Sequence, residues 1–310
     1  MKTGFVYDED YLKHDYPDHP EKKERLVSII NHVDKEGLFK ELVSLSPRRA
    51  KVEEVSLNHD PNYIQEVHDF CKSGGGFLDP DTYATEDSYD VALKAVGGVL
   101  EGIDRLVSGE LEAVFCAVRP PGHHAEYAKA MGFCLFNNVA VGAHYLRKKG
   151  SAERVFIIDF DAHHGNGTQR SFYQDDSVFY FSTHQYPFYP GTGGTQERGV
   201  GKGEGFTLNV PMPAGAGDDE FLPVYENGLP KVMREFKPDF ILVSAGYDLH
   251  EDDPLAYLRV STGGIGRIVR SIVKCSKELG APILFTLEGG YNLRAIGESV
   301  VVTLEEILKA

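Results

Sequence analysis

The sequence predicts a single α/β domain, a mainly parallel sheet with helices on both faces. Six short runs carry the sheet: Gly4–Tyr7, Ala113–Val118, Val155–Phe160, Val178–Ser182, Phe240–Ser244 and Ile283–Leu287. They are continuously apolar rather than alternating, as strands buried on both faces should be. Stretches of helical period lie between them, and strand–helix alternation of this kind produces parallel strands joined by crossover helices. No internal repeat, low-complexity tail or Ser/Pro-rich linker interrupts the 310 residues, so residues 1–310 are expected to form one domain.

In chain order, Leu26, Ile29, Ile30 and Val33 follow i, i+3, i+4, i+7 spacing and end near Gly37, an amphipathic helix with its stop signal. The next helix runs from Asp87 to about Leu106, with Ala92, Val96, Val99, Leu100 and Ile103 on one face. Further helices are predicted over Asn138–Lys148, Asp219–Glu235, Gly264–Leu279 and Leu293–Leu308. Pro190–Gly205 has seven glycines in sixteen residues, too many for a helix or strand interior. Lys202 is followed by Gly203 rather than Ser or Thr, so this is no phosphate-binding loop, and a long active-site loop is expected instead.

Composition excludes several classes of function. Net charge is −15, from 32 Lys+Arg against 47 Asp+Glu, and no concentrated basic patch is present to grip nucleic acid. No run approaches 18 consecutive apolar residues, so no membrane-crossing helix is expected. Acidic residues follow Tyr7 before any signal-like apolar region develops, which leads us to expect a cytoplasmic protein. Cys71, Cys116, Cys134 and Cys275 are scattered without a C-x-x-C pair, the pattern of reduced thiols rather than disulfides or a zinc ribbon. Oligomeric state has no signature here.

Ligands in open parallel sheets bind beyond the carboxyl ends of the strands, and here those ends carry the chemistry. Five successive strands are followed by Arg119–His124, Asp159–Gly167, Ser182–His184, Ala245–Asp248 and Glu288–Tyr291. Asp161 and His163 stand at i, i+2, on the same side of an extended backbone, and Asp248 can join them from a neighbouring strand. Two carboxylates and an imidazole with an open position describe a catalytic zinc site, although iron(II) or cobalt(II) suits the same donors. The tandem His123-His124, in a tight Pro-Gly context, suits general base and acid work. Each ring needs a partner for its other nitrogen, and Asp159 and Asn166 are the candidates. A carboxylate raises imidazole basicity more than an amide does, so the two histidines should not titrate alike. Tyr291, after two glycines, can bend toward the site and donate to an oxyanion.

Together, Arg119–Ala125 (RPPGHHA), Asp159–Gln169 (DFDAHHGNGTQ), Ser244–Asp248 (SAGYD) and Glu288–Tyr291 (EGGY) resemble the histone deacetylase superfamily, which includes acetoin-utilisation proteins and acetylpolyamine amidohydrolases. The resemblance implies the arginase-deacetylase fold and one zinc ion at Asp161, His163 and Asp248. It implies that Tyr291 polarises the scissile carbonyl, that His124 is the principal proton shuttle, and that His123, paired with Asp159, acts mainly electrostatically. It further implies a structural potassium ion near Asp159, Asp161, His163 and Ser182. Gly132-Phe133 resembles one wall of an acyl-lysine tunnel and Tyr189 the other, where the family usually has Phe. Asp81 resembles the rim residue that grips substrate backbone. Asn166 matches class II-like and bacterial members, since class I enzymes carry Asp there.

Three rival readings are weaker. A binuclear manganese ureohydrolase needs further carboxylates, but Gly165 and His250 stand where they would be required. A binding module without activity would lack the tyrosine, a ligand or both histidines, and none is missing. Acetylpolyamine hydrolysis in this family usually needs an acidic rim residue, where this chain has the apolar Leu255, although Glu251, Asp252 and Asp253 lie close by. The expected substrate is therefore an acetyl-lysine peptide or protein, with acetylpolyamines or other small amides as the alternative.

Overall fold

The computed structural model describes all 310 residues. Its strands are β1 (Thr3–Val6), β2 (Val43–Leu45), β3 (Gly76–Asp79), β4 (Thr82–Ala84), β5 (Ala113–Cys116), β6 (Val155–Asp159), β7 (Val178–Gln185), β8 (Thr207–Met212), β9 (Phe240–Ala245) and β10 (Ile283–Leu287). The helices are α1 (Glu24–Lys35), α2 (Val52–Val55), α3 (Pro61–Lys72), α4 (Ser88–Val107), α5 (Asn138–Lys148), α6 (Asn166–Phe172), α7 (Asp218–Pro223), α8 (Leu229–Phe236), α9 (Thr262–Leu279) and α10 (Leu293–Lys309).

Eight strands form one sheet in the order β2-β1-β5-β10-β9-β6-β7-β8, parallel throughout. β3 and β4 make a separate antiparallel hairpin. The four middle strands, β5, β10, β9 and β6, are buried along their whole length, which accounts for their unbroken apolar sequence. Successive side chains point to opposite faces. On one face Val114 and Leu284 meet α4 so closely that a methyl at Gly102 would stand 2.8 Å from Leu284 Cδ1. On the other, Phe115 stacks on Phe5, with ring centroids 5.9 Å apart, and Phe39 caps them beside α1 and α10. The predicted doubly covered parallel sheet is what the chain forms.

One predicted element needs correction. The helix expected over Asp219–Glu235 is broken into α7, a wide π turn over Val224–Gly228, and α8. Pro223, Gly228 and Pro230 explain the break, because proline lacks the donor that continues a helix and glycine adds backbone freedom. Four strands and several helices lay outside the sequence reading. β2 has three residues. β8 is an edge strand that alternates in burial and tolerates Pro211. α3 carried a legible start signal: the Asp60 side chain accepts from Asn62 N ahead of Pro61.

Candidate functional site

The carboxyl ends of β5, β10, β9 and β6 lie side by side in the sheet, and the segments leaving them surround a slot of about 90 Å3. It is lined by Asp81, His124, Gly132, Phe133, His163, Tyr189, Leu255 and Tyr291. All five residues predicted as tunnel wall or rim therefore reach it. A larger groove of about 500 Å3, between α3 and α4, is lined mainly by charged side chains and lies apart from these groups.

Asp161, His163 and Asp248 converge as predicted, their ligand atoms all within 4.8 Å of one another. His163 Nδ1 is 3.1 Å from Asp161 Oδ1 and 3.0 Å from Asp248 Oδ2. Backbone amides aim the carboxylates: Gly289 N donates to Asp161 Oδ2 and Ala162 N to Asp248 Oδ1, each at 2.8 Å. Two glycines make room. A methyl at Gly246 would stand 2.0 Å from Asp161 Oδ2, and one at Gly289 would stand 2.3 Å from Asp248 Oδ2. Burial alone would discharge His163, but its bonds to Asp161 and Asp248 outweigh burial and push its pKa up to about 10. A site that favours a proton so strongly, between two buried carboxylates, is built for positive charge and fits a divalent cation. No second group of three such side chains converges. A methyl at Gly165 would stand 2.3 Å from Asp159 Oδ2, and His250 is engaged with Thr262 and Asp252, so the geometry favours one ion.

The histidine pair stands beside this centre, ring centroids 4.0 Å apart. His123 Nδ1 lies 3.0 Å from Asp159 Oδ2, which also accepts from the Tyr180 hydroxyl at 3.0 Å. His124 Nδ1 lies 2.8 Å from Asn166 Oδ1. For His123, burial favours the neutral ring, but Asp159 and Asp161 overcome it and raise the pKa to about 10. His124 has no carboxylate partner, and burial, then repulsion from His123 and His163, hold it well below the usual imidazole range. At neutral pH the structure thus favours a charged His123 and a neutral His124. Glu288 supports the pair, accepting from Gly122 N at 2.7 Å and His123 N at 3.1 Å.

Tyr291 is set by contacts absent from the sequence reading. Its ring meets Phe133 edge-on at 5.7 Å, and the Arg25 guanidinium lies over it at 5.0 Å. Arg25 also donates to the carbonyls of Gly290, at 2.7 Å, and Glu288, at 2.5 Å. Glu21, fully buried, holds Arg25 at 2.8 Å and receives Arg119 on both carboxylate oxygens. The i, i+4 spacing of Glu21 and Arg25 was the sole sequence signal. Burial keeps the Tyr291 hydroxyl well above its usual pKa, with Arg25 opposing.

Around the mouth, Asp253 is turned inward and accepts from the backbone amides of Leu255 and Tyr291. Asp252 pairs with Arg294 on the surface. Leu255 is left as the lining residue of that segment. The glycine-rich stretch is a loop, as expected, but only its approach through Tyr189 lines the slot. The remainder is fastened by Glu197, which accepts from the amides of Gly193 and Gly194, and by His184, which donates to Gly193 O at 2.9 Å. His184 therefore anchors the loop rather than facing the slot. Ser182, proposed beside a monovalent ion, donates to His184 Nδ1 at 2.8 Å. Phe188, not singled out from sequence, stacks on His163 at 5.2 Å.

Comparison with known proteins agrees with this geometry. Residues 19–307 match the family described as the histone deacetylase domain. A "Probable deacetylase" of Archaeoglobus fulgidus is 41% identical over 297 residues, covering 94% of this chain and 82% of that protein. "Histone deacetylase 14, chloroplastic" of Arabidopsis thaliana is 38% identical over 315 residues, covering 96% and 74% respectively. The crystal structure of an "HDA15 HD domain" superimposes with a TM-score of 0.94 at 35% identity, covering 100% of this chain and 88% of that one.

Proposed function

The chain belongs to the histone deacetylase family, and from that premise we propose that it is a zinc-dependent amidohydrolase cleaving the acetyl amide of acetyl-lysine in peptides or proteins to free amine and acetate. One observation carries this reading: the slot lined by Phe133 and Tyr189 is also lined by His163, His124 and Tyr291. A slender acylated amine entering it meets a metal ligand, a base and a hydroxyl at once.

Zinc suits three protein ligands with an open position, and iron(II) or cobalt(II) would suit the same donors. Bound by Asp161, His163 and Asp248, the ion would supply Lewis acidity toward the amide oxygen and lower the pKa of an attacking water. His124, neutral through burial, takes the proton from that water and returns it to the departing amine. His123, charged through Asp159, keeps positive potential beside the developing anion. Tyr291 retains its proton and donates to the oxyanion. Asn166 orients His124. Gly132, Phe133, Tyr189 and Leu255 confine the substrate chain, and Asp81 at the mouth accepts from substrate backbone amides. The same reading includes a potassium ion near Asp159, Asp161, His163 and Ser182.

The acetylpolyamine alternative needs a carboxylate at the mouth for the distal ammonium groups. Asp252 and Asp253 are already engaged and Leu255 is apolar, which leaves Asp81 as the one carboxylate lining the slot; with Asp81 taken up by substrate backbone amides, acyl-lysine is favoured. Side-by-side assays of the zinc-loaded protein on acetyl-lysine peptides, acetylated polyamines and longer acyl-lysines test this. Acetate release from the peptide should exceed that from the polyamine, stop with a chelator and be lost in Asp161→Ala. A preference for acetylpolyamine would overturn the substrate assignment, and chelator-resistant activity would overturn the metal dependence.

A further inference from the structure

His124 can take a proton only if the ring nitrogen facing the slot is bare. Its other nitrogen, Nδ1, lies 2.8 Å from Asn166 Oδ1. A side-chain amide can present either its oxygen or its NH2 group, and the two choices select opposite imidazole tautomers. The choice is made on the far side of Asn166. There Asn166 Nδ2 lies 3.1 Å from Glu126 Oε1, and a carboxylate offers only acceptors. Turning the amide over would set oxygen against oxygen. The other contacts of Nδ2, to His124 O and Met131 Sδ at 3.4 Å each, are too long or too weak to select. Glu126 is itself held: its second oxygen accepts from Arg170 Nη1 at 3.0 Å, and its backbone N donates to Lys129 O at 2.9 Å.

We propose that Glu126 is a positioning residue for the hydrolysis, setting the tautomer of His124 through Asn166. The order of donation is Arg170 to Glu126, then Asn166 NH2 to Glu126, then His124 Nδ1–H to Asn166 oxygen. Nε2 is left without a hydrogen, toward the slot. The proposal deepens the reading of His124 as the proton-accepting group and rests on it. Arg170 is 73% exposed, so its pair with Glu126 holds the carboxylate only weakly, and the selection belongs to Glu126.

The test uses the zinc-loaded full chain and four variants: Glu126→Gln, Glu126→Ala, Asn166→Asp and the double variant Glu126→Gln/Asn166→Asp. Metal content and Tm are measured on each, so that misfolding is seen directly. Asn166→Asp sets two carboxylates against each other. Both oxygens of the new aspartate accept, so the His124 tautomer is kept and the loss comes from the repelled carboxylate: kcat should fall by about tenfold or more, with KM within about twofold. Adding Glu126→Gln should restore most of that loss, because a glutamine amide donates to the new aspartate. A residue that merely supports the fold would give additive losses instead. Nitrogen-15 spectra of the histidine side chains read the tautomer without any assay of activity: Nδ1–H in the wild type, and a mixture in Glu126→Ala. An unchanged His124 tautomer in Glu126→Ala, or a double variant no faster than Asn166→Asp, would overturn the proposal. A wild type without acetyl-lysine hydrolysis would defeat the functional reading, while the spectra would still decide the role of Glu126.

Discussion

Gly289→Ala is the sharpest probe of the proposed metal centre because it keeps the identity of every ligand residue. Gly289 has an ordinary backbone conformation, so alanine brings no torsional strain there. Its methyl would stand 2.3 Å from Asp248 Oδ2 and 2.6 Å from Asp161 Oδ2. Carbon and oxygen that are not bonded to each other pack at about 3.3 Å, so one carboxylate or the backbone must retreat by about 1 Å. Metal–ligand distances tolerate about 0.2 Å. Displacement on that scale should weaken zinc at least as much as losing an outer-shell partner, about 10² in Kd. Overpacking should cost the fold about 1–3 kcal/mol. Titration against a chromophoric chelator gives Kd, and urea denaturation with and without zinc separates the two effects. A variant that folds and binds zinc within about threefold of wild type would refute the reasoning.

The other predictions concern the oxyanion, the buried charge and an acid-sensitive histidine. Tyr291→Phe should lower kcat by about 10² or more, the scale of one lost oxyanion donor, with metal content unchanged; undiminished turnover would remove Tyr291 from the mechanism. Glu21→Ala leaves Arg25 and Arg119 buried without a counter-ion and should cost about 3–5 kcal/mol in denaturant unfolding, whereas a loss below about 1 kcal/mol would mean the network is incidental. Burial depresses His59 to about 4, against mild opposition from nearby backbone groups. Its folded pKa is thus below the unfolded value of about 6.5, the unfolded chain binds the extra proton, and stability present above pH 6.5 is lost as pH falls toward 4. The stability advantage of wild type over His59→Gln should therefore shrink by about 1.4 kcal/mol per pH unit across that window, and a pH-independent gap would contradict a neutral, buried His59.

Most of what could be read from sequence lies within contiguous segments, to which the strand-end rule and the family resemblance added Asp248, Asn166 and Tyr291. Asp161 and His163 sit two positions apart on one extended stretch, and His123 adjoins His124, so their neighbourhood is visible in the order of residues. The parallel sheet was legible because its central strands are buried on both faces and carry no polar interruption. The support for Tyr291 was not, since Glu21 meets Arg119 across 98 positions and Arg25 meets Gly290 across 265. No local pattern encodes such pairs. Glu126 escaped for a related reason: its importance lies in which end of the Asn166 amide it faces, a matter of three-dimensional polarity. The break between α7 and α8 was written in Pro223, Gly228 and Pro230, and the apolar period masked it. His184 sat at a strand end like the groups that line the slot, but its place in β7, one strand further out, turned it to the loop.

The position of β10 bears on how the protein is made. The last strand of the chain lies in the middle of the sheet, bonded to β5 on one side and β9 on the other. Until residues 283–287 arrive, β2-β1-β5 and β9-β6-β7-β8 share no strand pairing, and each exposes a long apolar edge of the kind that pairs with other chains. A ribosome working from the N-terminus delivers both halves before the strand that unites them, so the sheet closes only once residues 283–287 have emerged. The same late segment brings Glu288, Gly289 and Tyr291. A chain cut short before it would lack both the join of the sheet and the tyrosine, so truncated products should be aggregation-prone rather than partially active.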